Sequence, residues 1–482
     1  MPTIPLGRAF TECARRDPDR PAVTVADVTI TRGELESLAN RMARAFIGFG
    51  VAHGDYVTIG LPNSSEFFAA TLAAWKIGAV PQPVSPRLPH LERDGIVELA
   101  NSPVVLGAEP GEHPGRVCLP VGWLPDASLD DSALPDAISP TWKAPTSGGS
   151  TGRPKLIVAG DPGVIDTDAD PGMGMVCDGV MLVPGPMYHN APFSYSSKAL
   201  VNGNHIITMA RFDAEATLVA AQQHRPTWML LVPTMMLRIT RVDDHRSYDM
   251  SSIQVVWHMA APCPPWLKEE WIDWLGGEKI FELYAGTEAQ AVTVIRGDQW
   301  LAHRGSVGKP IYGEMKVIDD EGNDAPPGEV GEIYMRAPDG RVTYRYVGAD
   351  AKVTDDGWES LGDMGWIDEE GFVFLTDRLG DMILSGGANI YPAEIEAAID
   401  EYPHVRSSAV IGLPDEDLGN RVHAIVQLAD DNVVTADELR AYLADRLVRY
   451  KIPREFEFVT EPLRDDAGKV RRSQLRADRL NT

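Results

Sequence analysis

The stretch Ser147-Gly148-Gly149-Ser150-Thr151-Gly152-Arg153-Pro154-Lys155 packs glycines, hydroxyls and a lysine into consecutive positions. Glycine lets a backbone turn sharply and come close to a ligand. Successive N–H groups in such a turn form a concave nest that binds anions. Ser150 and Thr151 add hydroxyl donors, and Lys155 adds a full positive charge. That set of groups suits phosphate. The stretch is not a Walker A loop, because Arg153-Pro154 separates Gly152 from Lys155 and Leu156 follows the lysine. Taken alone, it reads equally well as a flexible Gly/Ser surface loop.

The whole chain sets bounds on that reading. It has 482 residues, 44% hydrophobic and 24% charged. This is an ordinary globular composition at a length beyond a single core, so two or more domains are expected. The net charge of −26 argues against nucleic acid or an anionic membrane as partner, since both select a basic surface. Anionic ligands must therefore meet local positive groups. Cys13, Cys118, Cys177 and Cys263 show no paired spacing, and the eleven histidines form no zinc-type motif. Met1 to Phe10 lacks a signal-peptide pattern, and no apolar run spans a bilayer. A reduced, cytosolic protein is expected.

Upstream of the glycine-rich stretch the pattern is strand, helix, strand. Thr31-Arg32-Gly33-Glu34 reads as a capping box, and Leu35, Leu38, Ala39, Met42, Ala45 and Phe46 follow at helical spacing. Strands at Tyr56–Leu61 and Ala79–Val84 flank a helix from Ser64 or Ser65 to Trp75, which gives a parallel βαβ unit. Residues 110–145 and 159–174 read mostly as connection. Downstream, apolar strands at 180–184, 228–232, 254–259 and 280–284 each end in a small or polar cluster. Those clusters are Pro186-Met187-Tyr188-His189, Pro233-Thr234, Ala260-Ala261-Pro262 and Gly286-Thr287-Glu288. Ligands of α/β sheets sit beyond the carboxyl ends of strands, so the clusters can converge on one site.

Strands at 316–319, 331–335 and 372–375 read as a separate, more antiparallel region, with Leu361-Gly362-Asp363 between them. Asp377-Arg378-Leu379-Gly380-Asp381 reads as a junction. Beyond it a small unit restarts, with Ser385-Gly386-Gly387 after a strand, a helix opening at Pro392, and a helix capped by Thr435 that runs to about Val448. Gly468-Lys469-Val470 precedes a short basic helix.

Together these segments resemble the adenylate-forming superfamily of acyl-CoA synthetases, nonribosomal-peptide adenylation domains and luciferase-type enzymes. The resemblance rests on Ser147–Lys155, Tyr284-Ala285-Gly286-Thr287-Glu288, Leu361-Gly362-Asp363, Asp377-Arg378 and Gly468-Lys469, in the family's order. It implies an α/β fold: a large N-terminal adenylation domain with parallel-rich sheets and a β-subdomain, residues 1–379, and a small mobile α+β domain, residues 380–482. It also implies two steps, in which a carboxylate attacks the α-phosphate of ATP and a thiol, usually of coenzyme A, then displaces AMP.

The resemblance also assigns roles. Ser147, Gly148, Gly149, Ser150, Thr151, Gly152 and Lys155 hold the β- and γ-phosphates. Thr287 contacts the α-phosphate, and Glu288 holds Mg²⁺. Lys469 reaches the substrate carboxylate and the α-phosphate. Asp363 accepts from the ribose hydroxyls, with Arg378 assisting, while Ala260, Ala261, Pro262 and Tyr284 flank the adenine. Gly386 and Gly387 leave room for pantetheine once the small domain has turned about Gly380. Singly, a Glu after Gly-Thr is usually a helix cap, Asp363 a turn residue and Lys469 solvated charge; the constellation favours function.

The sequence departs from the family where Trp257-His258-Met259-Ala260-Ala261-Pro262 stands for the usual Ser-Gly-Gly-Ala-Pro-like wording. That segment and Asp377–Ile390 resemble the branch that includes bile-acid-CoA ligases. No Asp or Glu occurs from Met181 to Lys198, which disfavours an amino-acid substrate. Tyr188, His189, Pro192, Phe193 and Tyr195 suit an apolar or aromatic acid, with Phe193 and Tyr195 also readable as core. His189 reads as a gate of the acyl site, counted with Thr287, Glu288 and Lys469 as catalytic, or as a core histidine. The expected function is therefore an acid-CoA ligase using ATP, Mg²⁺ and coenzyme A, with a homodimer left open. A stand-alone enzyme that loads a carrier protein is the alternative, and a non-enzymatic nucleotide-binding scaffold is a third.

Overall fold

The computed structural model of the chain describes residues 3–148, 154–378, 381–385, 388–415, 417–429, 434–465 and 468–480. Its largest element is a thirteen-stranded sheet. Six strands form its parallel part: Pro21–Val25, His205–Thr208, Val180–Leu182, Trp228–Leu231, Val255–His258 and Ile280–Ala285. These strands are apolar because helices and other layers cover both faces. Val180–Leu182, Trp228–Leu231, Val255–His258 and Ile280–Ala285 lead into the clusters picked out in the sequence.

The antiparallel strands belong to this same sheet, which corrects the expectation of a separate region. Val292–Arg296 pairs antiparallel with Ile280–Ala285, and Ser306–Tyr312 with Val292–Arg296. Val373–Arg378, Glu359–Ile367, Gly331–Arg336 and Glu314–Ile318 then continue it. The turn after Ala285 reverses the chain, so no crossover helix is needed there. Asp363 thereby lies inside a strand, opposite Arg378.

The βαβ unit near the N-terminus sits in a four-stranded parallel sheet of Val80–Pro83, Tyr56–Ile59, Val104–Leu106 and Val117–Leu119. Thr31 caps the Arg32–Gly48 helix as expected: its side chain accepts from the Glu34 N–H, and Glu34 accepts from the Thr31 N–H at 2.8 Å. The Ser65–Lys76 helix is buried along almost its whole length. It packs Phe67, Leu72 and Trp75 into the main core, each worth about 1.5–3 kcal/mol of burial. A three-stranded antiparallel sheet, Tyr344–Val347, Pro154–Ala159 and Thr146–Gly148, carries the flanks of the glycine-rich stretch.

From residue 383 onward the chain builds its own core of Ile383, Ile395, Ile399, Val410, Val426 and Leu439. Val405–Asp415 and Gly419–Leu428 form its long hairpin. Pro392 opens a helix and Thr435 caps another, which ends at Ala444, short of the expected Val448. Among the described residues, no helix is long and apolar enough to cross a membrane.

Candidate active site

Strand ends bring the phosphate-type residues together. Lys155 lies in Pro154–Ala159, directly opposite Ser147. Its ammonium sits 4.0 Å from Glu288 Oε1 and 3.6 Å from the centre of the Tyr346 ring. The Tyr346 hydroxyl donates to the same Glu288 oxygen at 2.5 Å. Glu288 follows the Ile280–Ala285 strand in a turn, not at a helix start, and is only 6% exposed. A buried carboxylate needs such donors. Burial, reinforced by the Glu288 charge, pushes the Tyr346 phenol up, so it stays a donor. Beside it, Tyr344 donates to Glu359 at 2.5 Å and Gln290 donates there at 2.9 Å.

The nucleoside-type residues form a second cluster. The Tyr284 hydroxyl donates to Asp363 Oδ2 at 2.8 Å. A Cβ at Gly286 would run into the tip of the Leu361 side chain, which would have to shift to admit it. Ala260 sits at φ +76°, in the left-handed region that favours glycine. Alanine thus stands at a position whose backbone favours glycine.

The third cluster reaches in from the C-terminal part. Lys469 sits in a tight turn in which its N–H donates to Asp465 Oδ1 at 2.9 Å and Asp465 N–H donates to its carbonyl at 2.9 Å. Gly468, at φ +76°, packs on Thr234 at the start of the Pro233–Thr240 helix. Arg464 fixes the turn from beneath, donating to the Gly468 carbonyl at 3.1 Å and to Glu396 at 3.0 Å. Arg472 also binds Glu396, at 2.8 Å, and Asp381, at 2.9 Å. Polar contacts also join this unit to the larger one: Arg471 to Glu92 at 3.1 Å, and Arg241 to the carbonyls of Asp400 at 3.0 Å and Arg406 at 3.4 Å.

All three clusters line one cavity of about 2800 Å³. Of the residues singled out in the sequence, Lys155, His189, Ala260, Ala261, Pro262, Tyr284, Thr287, Glu288, Asp363 and Lys469 are on its wall. Gly149, Ser150, Thr151, Gly152, Gly380, Gly386 and Gly387 lie outside the described residues, as do the side chains of Ser147 and Arg378. Ser147, Gly148 and Arg378 are placed by their backbones, in strands.

The Asn190–Val201 helix walls one side, with His189 as its N-cap, its ring centre 4.4 Å from that of Tyr188 and tilted against it. Ala191, Tyr195 and Lys198 recur along it at helical spacing and face the cavity. Phe193 does not. It is 1% exposed and packs against Phe67, Trp75 and Trp142, so it is core rather than pocket. Tyr346 and Lys143 are wall residues that the motifs missed, whereas Thr234 belongs to the expected strand-ending cluster Pro233-Thr234. The alternation Tyr344-Arg345-Tyr346 was the available signal, since it marks a strand with one aromatic face.

Among the described residues, no group of three or more His, Cys, Asp or Glu is arranged around a metal. Glu288 nonetheless fits magnesium, which takes one or two carboxylates and completes its shell with water and substrate phosphates.

Comparison with known proteins gives the family and the fold. The model of the AMP-binding enzyme family matches residues 10–346, and that of the AMP-binding enzyme C-terminal domain matches residues 394–469. The chain is 32% identical to a feruloyl-CoA synthase of Amycolatopsis sp., over 96% of each. It is 28% identical to a fatty acid–[acyl-carrier-protein] ligase of Streptomyces coeruleorubidus, over 96% of this chain and 94% of that one. The solved o-succinylbenzoate CoA synthetase of Bacillus subtilis, in complex with its acyl-adenylate intermediate, superposes with a TM-score of 0.84 at 27% identity, over 98% of each chain.

Proposed function

Since the chain belongs to the AMP-binding enzyme family, we propose that it activates a hydrophobic carboxylic acid, whether apolar, aryl or steroid-like, and passes the acyl group to coenzyme A. It is an AMP-forming acid-CoA ligase, with ATP, Mg²⁺ and coenzyme A as its cosubstrates and metal. The observation that carries the finer reading is the wall of the Asn190–Val201 helix. Ala191 and Tyr195 face the cavity beside Tyr188 and His189, and 181–198 brings no carboxylate to hold an α-ammonium.

In the first step, a carboxylate oxygen of the acid attacks the α-phosphorus, and the bond to pyrophosphate breaks. Two anions meet there, so aimed positive charge is what lowers the barrier. Lys155 holds the β- and γ-phosphates, with the 147–152 loop around them. Thr287 donates to the α-phosphate. Lys469 bridges the acid's carboxylate and the α-phosphate. Tyr284 and Asp363 hold the adenosine: Asp363 accepts from the ribose, Arg378 assists, and Ala260-Ala261-Pro262 and Tyr284 flank the base. Magnesium, held through Glu288, offsets phosphate charge when bound.

In the second step, the thiol sulfur attacks the acyl carbonyl, the proton leaves the thiol, and AMP departs. The thiol enters where Lys469 stands, so residues 380–482 turn as a unit about Gly380 and bring Gly386 and Gly387 to the pantetheine arm. A separate core in that segment supports a boundary at 379/380. His189, as N-cap of the pocket helix, gates the acyl site.

Similarity to a carrier-protein ligase supports one second reading, in which the acceptor is the pantetheine of a carrier protein. Pyrophosphate release and thioester formation, followed over fatty, aryl, steroid-side-chain and amino acids, test both. A coenzyme A thioester of an apolar or aryl acid supports the first reading. Pyrophosphate release with acyl transfer only to a holo-carrier protein supports the second. Preference for an amino acid contradicts both.

A further inference from the structure

Lys143 is a cavity-wall lysine that the reaction above does not use. It lies three residues before Thr146, where the strand leading into the glycine-rich stretch begins. Its side chain is almost wholly buried, 7% exposed, yet it reaches the cavity wall. Its ammonium donates to the Asn190 side-chain oxygen, and to Ser194 Oγ at 2.7 Å. Ser194 in turn donates to the same Asn190 oxygen at 3.2 Å. Asn190 and Ser194 are one turn apart at the start of the pocket helix, immediately after His189. Neither acceptor is charged.

The neighbouring contacts point the same way. The Trp142 ring lies 4.3 Å from the Lys143 ammonium and stacks on Phe193, the residue before Ser194. Trp142's carbonyl accepts from the Trp75 indole at 2.8 Å, which anchors the dipeptide in the main core. The Lys143 carbonyl accepts from Ala159 N–H at 3.1 Å, in the strand that also carries Lys155. A buried lysine with two neutral acceptors costs stability, because desolvation of the ammonium is not offset by a nearby carboxylate. An apolar residue of similar length would avoid that cost, so simple packing does not account for a lysine here.

We propose that Lys143 is a positioning residue that fastens the root of the phosphate-binding loop to the first turn of the pocket helix. It thereby holds His189 and the acid in register with the triphosphate. This rests on the functional reading above. A misplacement of about 1 Å at a reacting carboxylate is enough to cost a large factor in rate.

The test uses the full chain with Lys143→Met, and with Asn190→Ala in case the methionine variant folds poorly. Hydrogen–deuterium exchange of residues 190–196, without ligand, reads the fastening directly. Faster exchange there in either variant, with the 155–159 strand unchanged, is the expected result. In the pyrophosphate-release assay, the KM for the acid rises about ten-fold while the KM for ATP stays at the wild-type value. The double variant is no worse than Lys143→Met alone. Unchanged exchange in 190–196 overturns the proposal, and so does a loss of ATP affinity equal to that for the acid. Failure of wild-type turnover overturns the functional reading instead, and the exchange result still decides the role of Lys143.

Discussion

Gly468 fits against Thr234 with no room for a side chain: a Cβ added at Gly468 comes 2.5 Å from Thr234 Oγ1, at φ +76°. The turn that carries Lys469 is thus docked on the larger unit, with Lys469 on the wall of the large cavity. This is the arrangement that the proposed role of Lys469 in adenylation needs. Gly468→Ala adds both a clash and left-handed strain of about 1–2 kcal/mol. Pyrophosphate release should fall about ten-fold or more. Thioester formation from a preformed acyl-adenylate should change little, because Lys469 has left the site by then. Equal losses in both half-reactions would contradict the docking.

Tyr346 holds Glu288 through a hydrogen bond to a charged group, worth about 1.5–3 kcal/mol. Tyr346→Phe keeps the ring beneath Lys155 and removes only the hydroxyl. The half-maximal magnesium concentration should rise, and kcat/KM should fall about ten-fold. A magnesium titration that superposes on the wild type would show that Tyr346 does not orient Glu288.

Burial pushes the Tyr195 phenol up to about 12, so across the working pH range it is a neutral donor on the pocket wall. Tyr195→Phe should then penalise acids with a ring hydroxyl or methoxyl more than their unsubstituted analogues, by about ten-fold in kcat/KM. Competition between cinnamic and ferulic acids measures this. An identical loss for both acids would make Tyr195 a shape element alone.

Desolvation lowers the Lys143 ammonium to about 7, with the more distant Glu288 charge opposing. The unfolded chain, with an ordinary lysine near 10.5, binds more protons than the folded one between those values. Stability therefore rises with pH across that window, and the charging penalty is fully present below about 7. Relative to Lys143→Met, the wild type should gain about 2 kcal/mol between pH 7 and pH 9. Urea midpoints of both proteins at the two pH values check the sign. A constant difference would mean that Lys143 keeps its charge.

Much of this was legible in local sequence. The Thr31–Glu34 capping box, the strand-ending clusters and the Gly468-Lys469 turn are set by residues within a few positions of one another, where short-range rules hold. What the sequence concealed is long-range. The antiparallel strands join the parallel sheet because Val292–Arg296 folds back on Ile280–Ala285, a pairing no periodicity reports. Tyr346 meets Glu288 from a strand of another sheet. Phe193 and Tyr195 sit two positions apart on one helix, so they face different surroundings, core and cavity, and composition cannot tell them apart.

The most direct measurement separates the two half-reactions in Lys469→Ala. The account predicts that ATP still binds, that pyrophosphate release drops about a hundred-fold or more, and that a preformed acyl-adenylate is still converted to thioester by coenzyme A. Wild-type pyrophosphate release from Lys469→Ala would contradict the account at its centre, because the cavity would then activate the acid without the residue assigned to bridge carboxylate and phosphate.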